Sequence, residues 1–242
     1  MRSRRSLLIG WTLALLGSAL FARLGVWQLD RMQQKEAMLA SAHAVLARRE
    51  ARPLAVADDP AQARGYAWAA GEGHFPDLPA LLLDNQERDG RAGVRAYRVF
   101  APDDAPPLLV ELGWLPVPGD RRMPSVPVPD THHVAGLLAP PPSAGLARPV
   151  VQPQPDGSQL LVALDVGLVR QTLHLRALAP RVLKLDPALP PTYPRDLDIL
   201  PNTLPPSRHL GYAVQWFGLS LTVLVTALVL TLRPPKARRS AP

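Results

Sequence analysis

Cysteine is absent from the 242 residues of this chain. That absence excludes disulfides, a thiolate nucleophile, iron–sulfur ligation and any zinc site built on sulfur. Charge is scarce as well. Asp, Glu, Lys and Arg make up 19% of the residues, below the roughly 25% usual in soluble domains, which suggests buried or lipid-facing segments. Several catalytic signatures are missing: Gly-x-Ser-x-Gly, Ser-x-x-Lys, the P-loop and Gly-x-Gly-x-x-Gly. The six histidines form no His-x-x-x-His pair. Copper delivery lacks its usual cysteines or clustered methionines. These gaps point to a chain that is not an enzyme. No internal repeat is visible. An apolar content of 47% excludes a wholly disordered chain.

What charge there is lies at the ends. The chain carries a formal net charge of +7. Residues 1–23 hold Arg2, Arg4, Arg5 and Arg23 and no acid. Residues 210–242 hold Arg233, Lys236, Arg238 and Arg239 and no acid. Residues 24–209 therefore hold 19 basic against 20 acidic side chains. A nearly neutral centre removes the case for nucleic-acid binding that the overall charge would otherwise raise.

The same end segments contain the long apolar runs. Leu7–Ala22 has 16 uncharged residues, and with only Arg23 intervening the pattern continues to Trp27. Leu210–Leu232 has 23 uncharged residues. A helix of that length spans about 34 Å, enough for a hydrocarbon core of roughly 30 Å. The second run therefore reads as a transmembrane helix. The first fits an uncleaved anchor or a cleavable signal peptide. Small residues at the cleavage positions are poorly supplied, since cutting after Ala22 leaves Leu20 at −3. Helical pattern also continues past the run, which favours the anchor.

The organisation expected is a cytoplasmic tail over 1–6, a transmembrane helix over 7–27 and a juxtamembrane helix over 28–52. A β-rich domain follows over 65–186, then a Pro-rich connector over 187–208. A second transmembrane helix covers 209–232, and a second tail covers 233–242. Short basic tails stay cytoplasmic. The two helices are then antiparallel, and the β-rich (α+β) domain between them is extracytoplasmic. In a bacterial cell this is a multi-pass inner-membrane protein with a periplasmic central domain and lipid as a partner.

Within the central domain, residues 66–73, 80–84, 93–101, 108–114, 132–138 and 159–163 are short, apolar or alternating, and bounded by turn residues. That spacing predicts an antiparallel sheet or barrel. Asn85–Gly90 reads as a polar turn, residues 51–64 as a loop, and Asp165–Leu173 as a short helix with Asp165 as N-cap. Residues 175–186 supply a further strand or two. Residues 187–206 contain seven prolines and cannot form a regular helix or a central strand.

His209 opens the second apolar run. An imidazole at the mouth of such a helix can ligate the iron of a lipophilic porphyrin. Tyr212 and Trp216 lie three and seven residues on, in one stripe with it. Histidine, tyrosine and tryptophan are also ordinary interface residues, so the residues alone leave both readings open. Gln215, polar within the run, is expected to face protein. His132 and His133 read as surface histidines.

Four segments together resemble the surfeit locus protein family of cytochrome c oxidase assembly factors. Gly25-Val26-Trp27-Gln28-Leu29-Asp30-Arg31 is similar to the family's Gly-x-Trp-Gln-x-x-Arg segment. Gly71-Glu72-Gly73-His74-Phe75 resembles its Gly-x-Phe strand end. Leu109–Pro116 resembles its Gly-Trp-Val-Pro motif, with Gly113 and Trp114 as the matching pair. His209–Phe217 is similar to its His-Leu-x-Tyr-Ala-x-x-Trp-Phe opening of the second helix. One departure stands out: Leu112, preceded by Glu111, occupies the place where the family commonly has Arg before Gly-Trp.

The resemblance implies an assembly factor that binds haem a, transiently, and assists its insertion into oxidase subunit I. It implies His209 as the iron ligand with Trp216 close by, and Tyr212 packing on the macrocycle. Trp27, Gln28, Arg31, Gly113 and Trp114 become candidates for interaction. Oxidase subunit I and haem a synthase become expected partners, and a homo-oligomer remains open. The alternative within the same frame is a cofactor-free scaffold that steadies assembly intermediates.

Overall fold

In the computed structural model, which describes residues 4–145, 148–191, 193–200 and 204–232, the chain divides into two compact units. Residues 1–38 and 204–242 make one, and residues 39–203 the other.

The first unit is an antiparallel helix pair. α1 runs Arg4–Arg48, its last turns belonging to the second unit, and α3 runs Pro206–Leu232. Both are long and apolar enough to cross a membrane. Pro206 falls in the first turn of α3, where a missing backbone N–H leaves no bond unmade. The seam between the helices repeats at coiled-coil spacing. From α1 it takes Trp11, Ala14, Ser18, Phe21, Gly25 and Gln28. From α3 it takes His209, Ala213, Trp216, Ser220 and Thr231. Ser18 and Ser220 hydroxyls are 2.7 Å apart, and Ser220 also donates to the Ser18 carbonyl at 3.0 Å. Trp11 Nε1 donates to Thr231 Oγ1 at 3.1 Å. Phe21 stacks on Trp216 with centroids 5.6 Å apart. Gly25 lies under Phe217, where an added Cβ would fall 2.8 Å from the ring. Small and hydroxyl side chains of this kind let helices approach where lipid gives no hydrophobic drive. The outward faces stay apolar and bare, with Leu8, Leu13, Leu16, Val214, Leu221 and Val225 exposed.

α1 was expected to reach residue 52 and stops at Arg48. Arg49 takes left-handed backbone (φ 47°) while its N–H still bonds the Val45 carbonyl at 2.8 Å. Arg52 and Pro53 are extended and form β1, pairing in parallel with Ala69 and Ala70. A residue before proline is steered to extended backbone, which explains the early end.

The second unit is a nine-stranded sheet. Its strands after β1 are β2 (Ala67–His74), β3 (Leu81–Arg88), β4 (Arg91–Pro102), β5 (Leu108–Pro116), β6 (His133–Ala139), β7 (Val151–Pro153), β8 (Gln159–Leu161) and β9 (Val182–Leu185). The order is β1-β2-β6-β9-β5-β4-β3-β8-β7. The far end of β4 also pairs with β2 at Gly73↔Pro102 and His74↔Ala101. Five strands, β2, β6, β9, β5 and β4, therefore close into a ring. The expectation of an antiparallel sheet needs correction, because β1–β2, β3–β8 and β5–β9 pair in parallel. Parallel neighbours need long crossovers. The stretches between β3 and β8 and between β5 and β9 supply them.

Alternation sorts the two faces. Ala69, Val94, Phe100, Val110, Val134, Leu138 and Leu183 pack in one cluster. Leu81, Tyr97, Val99, Leu109 and Val182 pack in another with Val169 of α2 (Val166–Thr172) and with Leu173, the helix's C-cap. Asp165 caps α2 by accepting the Leu168 N–H at 2.7 Å, as its position predicts. The stretch read as a loop over 51–64 contributes to the core, since Leu54 and Ala57 are buried on a 3₁₀ turn. The polar turn is narrower than expected. β3 continues to Arg88, and only Asp89 (φ 52°) and Gly90 (φ 73°) make the hairpin bend, the signature of a two-residue primed turn.

Candidate functional site

Residues of both helices meet at one end of the pair. His209 lies in the first turn of α3, is 7% exposed, and points into the seam. Its Nδ1 sits 2.8 Å from Gln28 Oε1. With Gln28 Oε1 as acceptor, Nδ1 carries the proton, and the neutral imidazole then keeps its lone pair on Nε2. That Nε2 is buried and has no hydrogen-bond partner. An imidazole with one nitrogen held by an acceptor and the other free is the form in which histidine binds a metal. A buried nitrogen without a partner otherwise costs about 1–3 kcal/mol. The free lone pair on Nε2 is the donor that a metal ligand requires. Nε2 is enclosed, so a ligand gains access only when neighbouring side chains turn aside.

The other expected site residues divide. Gln28 is brought to His209. Arg31 is one turn beyond Gln28 on the same face, exposed, and donates to Gln34 Oε1 at 3.1 Å. Trp216 stays on the seam but stacks on Phe21. Tyr212 is 39% exposed and Trp27 is 53% exposed, so both point away from the seam. Gln215 is also exposed, contrary to the expectation that it faces protein. An apolar groove of about 530 Å³ lies at the opposite end of the pair, lined by Trp11, Ala14, Thr222, Val223 and Thr226 among others. It does not include His209.

Gly113 and Trp114 sit in the second unit, on β5. Trp114 is 7% exposed, its Nε1 donates to the Gln86 carbonyl at 3.1 Å, and its N–H donates to the Pro194 carbonyl at 2.8 Å. Gly113 has φ 140°, and an added Cβ would come 2.7 Å from Tyr193 Cβ. The Trp114 N–H thus ties the Pro-rich connector to the end of β5, and Gly113 leaves room for it there. Arg195 completes that attachment, donating to the Leu112 carbonyl at 2.9 Å and to the Asp186 carbonyl at 2.8 Å.

Glu111, which precedes the departing Leu112, lies at the centre of a buried ionic cluster. Its carboxylate accepts from Arg95 at 2.5 Å, from Lys184 Nζ at 3.0 Å to each oxygen, and from Tyr97 Oη at 3.2 Å. Burial pushes the carboxyl up. Lys184, then Arg95, pull it down further, leaving it below its usual value of 4.5. The cation missing at position 112 is thus replaced by two from neighbouring strands. Nothing in one strand's sequence could reveal that. The register does: Glu111 stands opposite Tyr97 on β4 and Lys184 on β9. Among the described residues, no three His, Asp or Glu side chains gather as metal ligands. His132 and His133 bond instead to the Gly73 carbonyl and to Glu72.

A search of curated proteins finds no match to this chain. A family model does match, over residues 15–221. The matched range takes in most of α1, the whole sheet unit and the first part of α3 with His209. With that span, more than four-fifths of the sequence, the chain belongs to the SURF1 family, a family of assembly factors linked to cytochrome oxidase.

Proposed function

We propose that this chain is a two-span membrane protein that holds haem a at His209 during assembly of cytochrome oxidase and makes it available to subunit I. The observation that carries the reading is the His209 imidazole, tied through Nδ1 to Gln28 and buried with Nε2 unpartnered. When bound, the haem would supply an iron centre that takes one imidazole nitrogen. Every other task falls to the protein. Gln28 fixes the tautomer and the ring plane, since its carbonyl accepts only from a protonated Nδ1. Phe21 and Trp216 set the helix spacing two turns below the imidazole.

Membrane placement is part of the same reading. α3 has 27 residues, about 40 Å of helix. Its exposed leucines and valines need lipid or protein around them. The basic ends direct both termini to the cytoplasm. An intact first helix is favoured because Trp11, Ser18 and Phe21 form half of the seam, and cleavage near residue 22 would remove them.

The second reading is a scaffold without cofactor. The enclosure of Nε2 and the outward Trp27 favour it. One experiment separates the two. The full-length protein is co-expressed with haem a synthesis enzymes, purified in detergent, and assayed by pyridine haemochrome spectrum. The proposal expects stoichiometric haem a in the parent and its loss in His209→Ala. A colourless parent that still co-purifies with oxidase subunits supports the scaffold.

A further inference from the structure

We propose that Arg31 and Lys35 form a carboxylate clamp for the propionate groups of the macrocycle that His209 ligates. The inference rests on the haem reading above and adds an orientation to it.

Gln28, Arg31 and Lys35 stand at i, i+3 and i+7 on α1, a spacing that places them on one helix face. Gln28 touches His209 directly, so that face is turned toward the imidazole. Lys35 donates to the Leu204 carbonyl, five residues before His209, and so lies over the same end of the pair. Among the described residues, neither Arg31 nor Lys35 is in an ion pair. Arg31 spends one nitrogen on Gln34 Oε1 and keeps its other donors.

An iron porphyrin with two acid side chains is amphipathic. Its ring and any isoprenoid tail favour lipid, and its carboxylates favour cations and water. The helix pair has the matching polarity. Below His209 the seam is apolar, through Ala213 and the Phe21–Trp216 stack. Above it stand Arg31 and Lys35, which form no ion pair among the described residues. Charge-assisted bonds to a carboxylate are stronger than neutral ones, and Arg offers a planar fork to it. The clamp would point the acid edge out of the membrane and the ring toward its apolar interior.

The test uses full-length protein in neutral detergent, titrated with protohaem and with its dimethyl ester, and followed by Soret absorbance. The parent is expected to prefer the free acid by about tenfold or more, the order of one or two charge-assisted bonds. Arg31→Gln with Lys35→Gln should bring that ratio close to one while leaving the Soret band of the bound haem unshifted. Arg31→Lys with Lys35→Arg should restore most of the preference, which controls for misfolding. A preference that survives in the glutamine variant overturns the clamp and leaves the cations as headgroup anchors. Equal affinity of the parent for acid and ester overturns it as well. His209→Ala reports separately: an unshifted Soret band would refute the ligand assignment while the acid preference still judges the clamp. A parent that binds neither compound overturns both.

Discussion

Gln28 and His209 are 181 positions apart in sequence and joined by a 2.8 Å hydrogen bond between helices. The bond decides which imidazole nitrogen carries the proton. Replacing Gln28 by Leu removes the acceptor and frees the ring to rotate. Outer-shell partners of ligating histidines are worth about 10–100-fold in affinity. Gln28→Leu should therefore weaken haem binding by about that factor in the same Soret titration. Gln28→Glu keeps an acceptor and should retain most of the affinity. Equal binding by all three proteins would remove Gln28 from the site.

The seam makes a second prediction. Ser18 and Ser220 are buried and bonded to each other. Interhelical hydrogen bonds inside membranes average about 0.6 kcal/mol. Ser220→Ala should cost about that much, and Ser220→Leu several times more, because leucine has no room between the backbones. Reversible unfolding in mixed micelles, followed by Trp fluorescence, measures both. A leucine variant as stable as the alanine variant would show that the helices do not pack along this line.

Much of this architecture was readable in the linear pattern, and the misses share a cause. The two apolar helices, the Asp165 cap and most strands follow from runs, caps and alternation, which are local. The heptad positions from Trp11 to Gln28 were also present in the sequence. Their meaning depends on the matching set from His209 to Thr231, more than 180 residues away. Parallel pairing of β9 with β5 and closure of β2 on β4 are non-local in the same way. β1 and β7, two and three residues long, carry no periodicity to detect. At the candidate site His209 was legible by its place at the helix mouth. Its tautomer was not, because Gln28 supplies it from the other helix.

The Glu111 cluster predicts a pH dependence. The folded carboxyl lies below its ordinary value of 4.5. A group depressed on folding adds stability that is complete above its unfolded value and lost as pH falls through the folded one. The sheet unit should thus lose stability below about pH 4.5, with a slope that Glu111→Gln reduces. Glu111→Gln also leaves Arg95 and Lys184 buried without an anion, an effect of about 3–5 kcal/mol at neutral pH. Lys184→Met leaves Glu111 with Arg95 and Tyr97 and should cost less. Urea unfolding at pH 7 and pH 4 tests the ranking, and an inverted order would refute the cluster's assigned role.

Gly113 gives the sharpest test of how the Pro-rich connector is held. Its φ of 140° disfavours any side chain, and a methyl group would fall 2.7 Å from Tyr193 Cβ and 3.0 Å from the Pro194 carbonyl oxygen. Both neighbours belong to the segment that accepts the Trp114 N–H. Gly113→Ala must therefore either strain β5 or push residues 193–194 away. Strain of this kind is worth about 1–3 kcal/mol. Displacement of the connector would instead expose residues 187–200 to protease with little change in the midpoint of the sheet. The side-chain bonds of Arg195 to the Leu112 and Asp186 carbonyls hold the same segment. Arg195→Ala should consequently reproduce the proteolysis without the strain. If Gly113→Ala lowers the midpoint and Arg195→Ala raises protease sensitivity, the glycine's role is steric and the arginine's is tethering. If both variants behave as the parent, the connector is held by neither.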